Sequence, residues 1–310
     1  MTRSLRRWTS ISFLSRRRTD DLTYFEAYRQ AAAELEAAGV PEPALDARYL
    51  TEYVGDMTEA QYLLARDEEI PADSLSRLKE LIRRRSAREP IQYILGSQEF
   101  MGLPFICNKD CLIPRQDTEI LAERALEAVK VLRRDRERLR YLDLCTGSGC
   151  VAISVTKLGN ITDAEATDIS GAALAVAKKN AELNGTAVRL IEADLFAGLE
   201  GRYDIITANP PYIDTGLIHG LIPEIWKYEP MTALDGGEDG LVFYRRIVNE
   251  APERLTPGGW LVFEIGDTQG EAVAALMKAA GFEQVAVHKD LAGLDRVVEG
   301  KQSAKQNVNA

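Results

Sequence analysis

The run Asn209-Pro210-Pro211-Tyr212 carries the residue types needed to hold a planar NH2 group, and it follows the apolar stretch Tyr203-Asp-Ile-Ile-Thr-Ala208 at what reads as the carboxyl end of a buried strand. An amide or ring amine nitrogen is a poor nucleophile because its lone pair is delocalised. A protein that alkylates it must hold it and strip its water. The Asn209 side-chain oxygen and the Pro210 carbonyl are both acceptors, and together they can bind the two N–H donors of one NH2 group. The lone pair then faces a methyl donor. Two successive prolines remove backbone donors and fix φ, so the loop is stiff before a substrate arrives. Tyr212 adds a flat apolar wall. Asn209, Pro210 and Tyr212 are therefore the catalytic candidates, and Pro211 joins them in contacting substrate. A plain Pro-Pro turn would account for the prolines but leaves the flanking Asn and Tyr unexplained.

Such a site needs a donor pocket, and one is written upstream. Tyr141-Leu-Asp-Leu-Cys-Thr-Gly-Ser-Gly149 reads as strand, glycine turn and helix start, with helical content continuing through Leu158. Gly147 and Gly149 allow a ligand to approach the backbone at a helix N-terminus. A second strand-like run ends in Asp168, 25 positions after Asp143. A carboxylate there can accept both hydroxyls of a ribose. A third run, Val188 to Phe196, places Asp194 and Leu195 where the edge and face of an adenine could be held. Taken singly, each is an ordinary helix cap or turn acid. Three successive strand ends followed by Asn-Pro-Pro-Tyr form a set.

These residues resemble a known family, the bacterial peptide-chain-release-factor glutamine N5-methyltransferases within the class I S-adenosylmethionine-dependent methyltransferases. The resemblance runs from about Leu22 to Val298. It rests on Glu89-Pro-Ile-Gln-Tyr-Ile-Leu-Gly96, Glu99-Phe100, Leu112-Ile-Pro-Arg115 with Asp117-Thr-Glu119, the Asp143 to Gly149 loop, and Asn209-Pro-Pro-Tyr-Ile213. Further marks are Tyr228-Glu-Pro230, Ala233-Leu234, Gly236-Gly237, Asp239-Gly240, and Gly258-Gly259 through Glu264-Ile-Gly266. The resemblance implies methylation of the glutamine side-chain amide in the Gly-Gly-Gln loop of class 1 translation release factors. It also implies that Cys145, Thr146, Gly147, Ser148, Gly149, Asp168, Leu195 and Asn209 bind S-adenosylmethionine, and that Asn209, Pro210, Pro211 and Tyr212 hold the glutamine. Two departures stand out. Gln116 replaces the second proline of the family's Pro-Arg-Pro-Asp-Thr-Glu, and Cys145 replaces the first glycine of the donor loop, where a positive φ would strain its Cβ.

A sulfonium methyl is already activated, so in-line displacement needs alignment and exclusion of water rather than a metal or a covalent intermediate. The two histidines, His219 and His288, fall outside the motifs. Cys107, Cys111, Cys145 and Cys150 lack a second C-x-x-C pair, so neither a zinc site nor a disulfide is expected, and a reducing cytoplasm is the simplest setting. Lys+Arg 38 against Asp+Glu 48 gives a net charge of −10, which disfavours broad nucleic-acid binding. That balance weighs against the alternative reading, a nucleic-acid amino-group methyltransferase acting on adenine N6 or guanine N2. A third reading, a catalytically silent fold serving as a partner, is opposed by an intact Asn209 and Asp168. No run approaches the roughly 18 apolar residues of a membrane span.

The elements that must position these groups fall into successive segments. Residues 1–21 carry Arg3, Arg6, Arg7, Arg16, Arg17 and Arg18 with no acid before Asp20. They read as a disordered basic extension or an upstream start, with an organelle transit segment as the alternative. Residues 22–90 read as a small helical domain, with helices from Tyr24, from Pro43 and over Ala72 to Ser86, and the resemblance implies that it helps receive the protein substrate. Its terminal Arg83-Arg84-Arg85 reads as a solvated face. Residues 91–111 suggest a β-hairpin linker that, in the family geometry, carries Phe100 to the donor mouth. Residues 112–300 alternate strand and helix, predicting an α/β, Rossmann-like parallel sheet covered by helices on both faces. Within it, Ile213 to Arg254 is long for a crossover, and Trp226 and Tyr228 there either meet the substrate loop or fill core. Residues 301–310 read as a disordered tail.

Overall fold

The computed structural model describes residues 22–304; the basic extension and the last six residues of the tail lie outside the described residues. The chain divides into two compact units, Met1–Arg88 and Glu89–Ala310.

The first unit is helical among its described residues. α1 (Tyr24–Ala37) begins at a capping box in which the Glu26 amide donates to the Thr23 hydroxyl at 3.2 Å and the Thr23 amide to the Glu26 carboxylate at 2.8 Å. This satisfies two of the amide groups a helix start leaves open. α2 (Pro43–Gly55) opens on proline, whose fixed φ suits a first helical position. α3 (Glu59–Ala65) is not foreseen from periodicity, because its seven residues bury only Tyr62. Its capping box, Thr58 with Gln61, is the signal that would have found it. α4 (Ala72–Ser86) has the expected bounds. Leu35, Leu50 and Leu78 from three of these helices are at most 1% exposed and form the unit's interior.

The arginine run corrects the sequence reading. Arg83 is exposed, but Arg85 is buried, and its Nε donates to Asp46 Oδ2 of α2 at 2.6 Å. Arg85 lies one helical turn past Leu81 and Ile82, on the stripe that faces the interior. The run is therefore a solvated face only in part.

The second unit opens with α5 (Ile91–Leu95), a single turn where the hairpin linker was expected to begin. The hairpin itself is short: β1 (Ser97–Phe100) pairs antiparallel with β2 (Leu103–Ile106). Phe100 is 1% exposed and sits edge-on to Phe105 with ring centroids 6.0 Å apart, so it belongs to the core rather than to the mouth of a pocket. Strand alternation turns it inward, the same face as Phe105.

After α6 (Glu119–Leu132) come β3 (Arg140–Leu144), α7 (Cys150–Leu158), β4 (Asp163–Asp168), α8 (Gly171–Leu183), β5 (Arg189–Glu192) and β6 (Tyr203–Ala208). The long crossover holds α9 (Pro223–Trp226) and α10 (Val242–Arg254), followed by β7 (Leu255–Glu264), α11 (Gly270–Ala279), β8 (Glu283–Lys289) and β9 (Asp295–Lys301). The sheet order is β5-β4-β3-β6-β7-β9-β8. β5 to β7 run parallel, while β9 is antiparallel to both β7 and β8. Every residue of β6 is buried, as a central parallel strand with both faces covered requires. The strand order reverses between β3 and β6, which opens a crevice beyond their carboxyl ends.

The tail begins later than expected. Lys301 closes β9, and the Gln302 amide donates to the Gly259 carbonyl at 2.8 Å while Gly258 N donates to Gln302 O at 3.1 Å. The turn at Gly258, with φ +78°, brings that backbone within reach. Among the described residues, no helix is long and apolar enough to cross a membrane.

The Arg85–Asp46 pair carries a stability prediction. Asp46→Ala leaves a buried guanidinium without this carboxylate and is expected to cost about 3–5 kcal/mol. A shift of that size in the urea-unfolding free energy of the full chain checks it, and a change under about 1 kcal/mol would show that water replaces the carboxylate.

Candidate active site

Four neighbouring strands, β5, β4, β3 and β6, end at the same edge of the sheet, and the segments that leave them wall a cavity of about 400 Å³. Cys145, Thr146, Gly147 and Ser148 follow β3; Asp168 ends β4; Asp194 and Leu195 follow β5; Asn209 and Pro211 follow β6. Each of these lines the cavity. Gly149, Pro210 and Tyr212 do not. Gly149 caps α7 at φ +79°, where a Cβ would meet Ile153 Cδ1 at 3.0 Å and Ala177 Cβ at 3.1 Å, so its role is close packing of α7 on α8. Pro210 is buried and Tyr212 half-buried behind the wall.

The glycine loop is tied to the end of β4. Thr146 N donates to Thr167 O at 2.9 Å and Gly147 N to Asp168 Oδ2 at 2.8 Å, while Ser170 N donates to Asp168 Oδ1 at 2.9 Å. Both Asp168 oxygens accept from backbone amides, and the carboxylate retains acceptor capacity for a ligand hydroxyl. Burial is the largest influence on Asp168 and raises its pKa, opposed by the amides of Ser170, Gly147 and Ile169. Asp143 is more deeply placed. Thr146 Oγ1 and Thr207 Oγ1 each donate to it at 2.6 Å, yet burial outweighs both bonds and lifts its pKa to about 7.

Two non-glycine residues on the wall have left-handed backbone, Cys145 at φ +55° and Leu195 at φ +54°. The strain anticipated at Cys145 is therefore present. A left-handed L-residue costs roughly 1–2 kcal/mol, and such strain clusters at ligand sites. The Cys145 thiol is not poised for nucleophilic chemistry, because burial raises its pKa above the ordinary thiol range.

On the β6 side, the backbone after Asn209 is clamped by the glycine cluster that reads in sequence only as loop. A Cβ on Gly236 would lie 2.7 Å from Tyr212 Cα, and one on Gly240 would lie 2.3 Å from Tyr212 O. Gln269 Nε2 donates to that same carbonyl at 2.9 Å, and Ile213 N donates to Leu234 O at 3.0 Å. These glycines let the 236–240 turn lie directly on the Asn-Pro-Pro-Tyr segment. Asn209 Nδ2 makes a long 3.5 Å contact to Thr118 Oγ1. The Tyr212 hydroxyl points at Glu264 Oε1, 3.4 Å away.

Several wall residues carry no sequence signal of their own. Phe243 and Arg246 come from α10, and Ile169, 63% exposed, follows Asp168. Arg246 reaches Asp194 Oδ2 at 2.8 Å. Only the register of α10 against the sheet places them. Arg115, by contrast, lies in a quoted motif; it lines the cavity and is held by the buried carboxylate of Glu229. The wall holds Asp110, Asp143, Asp168, Asp194 and Asp235 against Arg115 and Arg246. That balance suits a ligand rich in donors or positive charge. Outside the cavity, His219 is exposed and edge-on to half-buried Trp226, and His288 Nε2 lies 3.0 Å from Glu299.

With strand order reversing at β3 and β6, a glycine turn after the first strand and an acid closing the second, the unit has the class I methyltransferase fold. Residues 26–96 match the family model described as the PrmC N-terminal domain, and residues 122–223 match the Methyltransferase small domain. The release factor glutamine methyltransferase of Geobacter sulfurreducens is 41% identical over 268 residues, covering 86% of this chain and 92% of that protein. That of Cereibacter sphaeroides is 40% identical over 281 residues, covering 90% and 98%. Among solved structures, the hMettl16 catalytic domain in complex with a 3′UTR hairpin shares the fold alone, with a TM-score of 0.53 at 18% identity over 74% of this chain and 84% of that one. The chain belongs to the release factor glutamine methyltransferase family.

The strain at Cys145 is open to measurement. Cys145→Gly is expected to stay within about 1 kcal/mol of the parent, since relief of φ offsets lost packing and added chain entropy. Cys145→Val, whose branched Cβ tolerates a left-handed φ worst, is expected to lose about 2 kcal/mol or more. Equal stability of the two variants in urea unfolding would show that the position is not strained.

Proposed function

We propose that this chain transfers the methyl group of S-adenosyl-L-methionine to the side-chain amide nitrogen of the glutamine in the Gly-Gly-Gln loop of class 1 translation release factors, in the cytoplasm where those factors act. The observation that carries the reading is the meeting of Asn209 and Asp168 on one cavity wall, at the ends of β6 and β4 with the glycine loop of β3 between them.

The wall fits the donor chemically. Asp168 offers its carboxylate to the two ribose hydroxyls. Asp194 and Leu195 stand where the edge and face of adenine would lie, and the excess of carboxylates favours a sulfonium and an amino group. Arg115 offers the donor's carboxylate a guanidinium oriented by Glu229. Bound there, S-adenosylmethionine supplies an electrophilic methyl carbon.

The protein's contribution to the transfer is positional. Asn209 Oδ1 and the Pro210 carbonyl accept the two N–H groups of the glutamine amide, which turns its lone pair toward the methyl carbon. Pro211 and Tyr212 keep that loop rigid and dry, and the glycine clamp on Tyr212 holds it at the strand end. No side chain is assigned as general base, because the proton on the methylated amide can leave to solvent after transfer. The helical unit that matches the PrmC N-terminal domain is the candidate for receiving the release factor.

Incubation with methyl-labelled donor, a release factor of the same cell, its Gln→Ala loop variant and a nucleic-acid control tests the proposal. Label confined to that glutamine of the unaltered factor supports it; label on nucleic acid would replace it with the amino-group reading. Asn209→Ala is expected to lower kcat by about 100-fold or more, the scale seen when one preorganised polar group is lost from a transition state. Donor Kd by calorimetry should hold within twofold. Parallel loss of both would make Asn209 a fold residue.

A further inference from the structure

Asn209 can accept a substrate N–H only if its oxygen, and not its nitrogen, faces the cavity. Sequence does not say what selects that orientation. The register does place one buried carboxylate beside it. β6 and β7 run parallel with Ala208 opposite Phe263, so the next residues on the two strands, Asn209 and Glu264, stand at one level. Glu264 is 2% exposed. Its Oε1 faces the Tyr212 hydroxyl, and the Thr118 hydroxyl acts on the same carboxyl group to favour its charged form. Oε2 has no hydrogen-bond partner among the described residues, so this carboxylate keeps an oxygen able to accept a hydroxyl proton. The Oγ1 of Thr118 in turn faces Asn209 Nδ2.

We infer that Glu264 is a positioning residue for methyl transfer: acting through Thr118, its carboxylate fixes which end of the Asn209 amide meets the substrate nitrogen. The inference rests on the proposed role of Asn209. Its logic is a count of protons. A hydroxyl has one proton to give, and an ionised carboxylate only accepts. Thr118 therefore donates to Glu264 and is left to accept from Asn209 Nδ2, which turns Oδ1 to the cavity. A neutral Glu264 can donate to Thr118 instead. Thr118 then gives its proton to Asn209 Oδ1, the amide turns over, and an N–H donor confronts the N–H donors of the substrate.

The Glu264 carboxyl is placed to change its charge near neutral pH. Burial is the largest influence and raises its pKa to about 7, with Thr118, Arg296 of β9 and Tyr212 favouring the anion and Asp117, beside α6, opposing it. Tyr244 of α10 and Cys150 of α7 are the other titratable groups that feel its charge. A raised carboxyl pKa means that the anion, and with it the working orientation, is lost as pH falls through that value. Activity should therefore drop on the acid side.

The test is kcat against pH for the full chain with its release factor, together with donor Kd. The parent should lose kcat about tenfold per unit below the pKa of Glu264, the slope of a single proton. Glu264→Gln, which offers both a donor and an acceptor to Thr118, should lower kcat at pH 8 by about 10- to 100-fold, flatten the acid limb and leave donor Kd within twofold. Thr118→Ser, which keeps the hydroxyl, should retain the limb, and Thr118→Val should abolish it even if Glu264→Gln folds poorly. An acid limb that persists in Glu264→Gln and in Thr118→Val overturns the inference while leaving the Asn209 reading intact, provided Asn209→Ala is impaired. An Asn209→Ala variant with normal kcat removes both.

Discussion

One buried carboxylate holds the two halves of the site in register. Asp143 lies opposite Thr207 across β3 and β6 and takes that residue's hydroxyl proton, while its other oxygen takes the proton of Thr146 in the glycine loop. The amide of Ala152, at the start of α7, adds a further donor. A charge in so dry a place is costly unless several donors meet it, and a helix N-terminus lowers that cost further. The bond to Thr146 fixes the loop proposed for the methyl donor. The bond to Thr207 fixes the strand whose next residues are Ala208 and Asn209. Movement of either half breaks a bond to the same carboxylate.

β6 is gripped from its other side as well. Glu264 ends β7 as Asp143 lies near the end of β3, so the strand that presents Asn209 has a buried carboxylate on each neighbour. Both have pKa values raised to about 7 by burial. Their surroundings differ. Asp143 has hydroxyl donors at 2.6 Å on both oxygens, whereas Glu264 has an unmet Oε2, a 3.4 Å contact from Tyr212 to Oε1 and the Thr118 hydroxyl as a further influence. The first is built to be satisfied and still; the second has a hydrogen-bonding choice left to make. That asymmetry is what separates a structural carboxylate from one able to bias a neighbour.

The glycine-loop side of the cavity was legible because its residues are local in sequence. A strand, a glycine turn and an acid at the next strand end are each spelled within a few residues, and the sheet brings Thr146, Gly147, Ser148, Asp168 and Leu195 to one cavity. What failed to read was set by contacts distant in sequence. Phe100 lies within a motif yet turns into the core, because strand alternation and not motif membership decides its face. Arg85 sits in a charge run yet is buried on Asp46, 39 positions away. Phe243 and Arg246 line the cavity only because α10 lies across the sheet. The glycine cluster at 236–240 looks like loop punctuation until a Cβ is tested against the Tyr212 backbone.

Cys145 shows how the remaining freedom in such a site is spent. Glycine is the residue that reaches φ +55° without cost, and this chain places a thiol-bearing Cβ there instead. The loop bears it because Thr146 N and Gly147 N are fixed to β4 and Thr146 Oγ1 to Asp143 of β3, so the backbone path is determined by residues other than Cys145. The side chain packs against the core cluster that includes Leu144, Leu195 and Tyr244, which returns part of the strain as buried contact. Leu195, in the same conformation three residues past β5, has its carbonyl held by the Thr167 hydroxyl at 3.2 Å. In both places a hydroxyl-bearing neighbour fixes the backbone and the apolar side chain fills the wall. Strain at the glycine loop is therefore a property that the sheet imposes and offsets locally, and it leaves the strand end carrying Asn209 undisturbed.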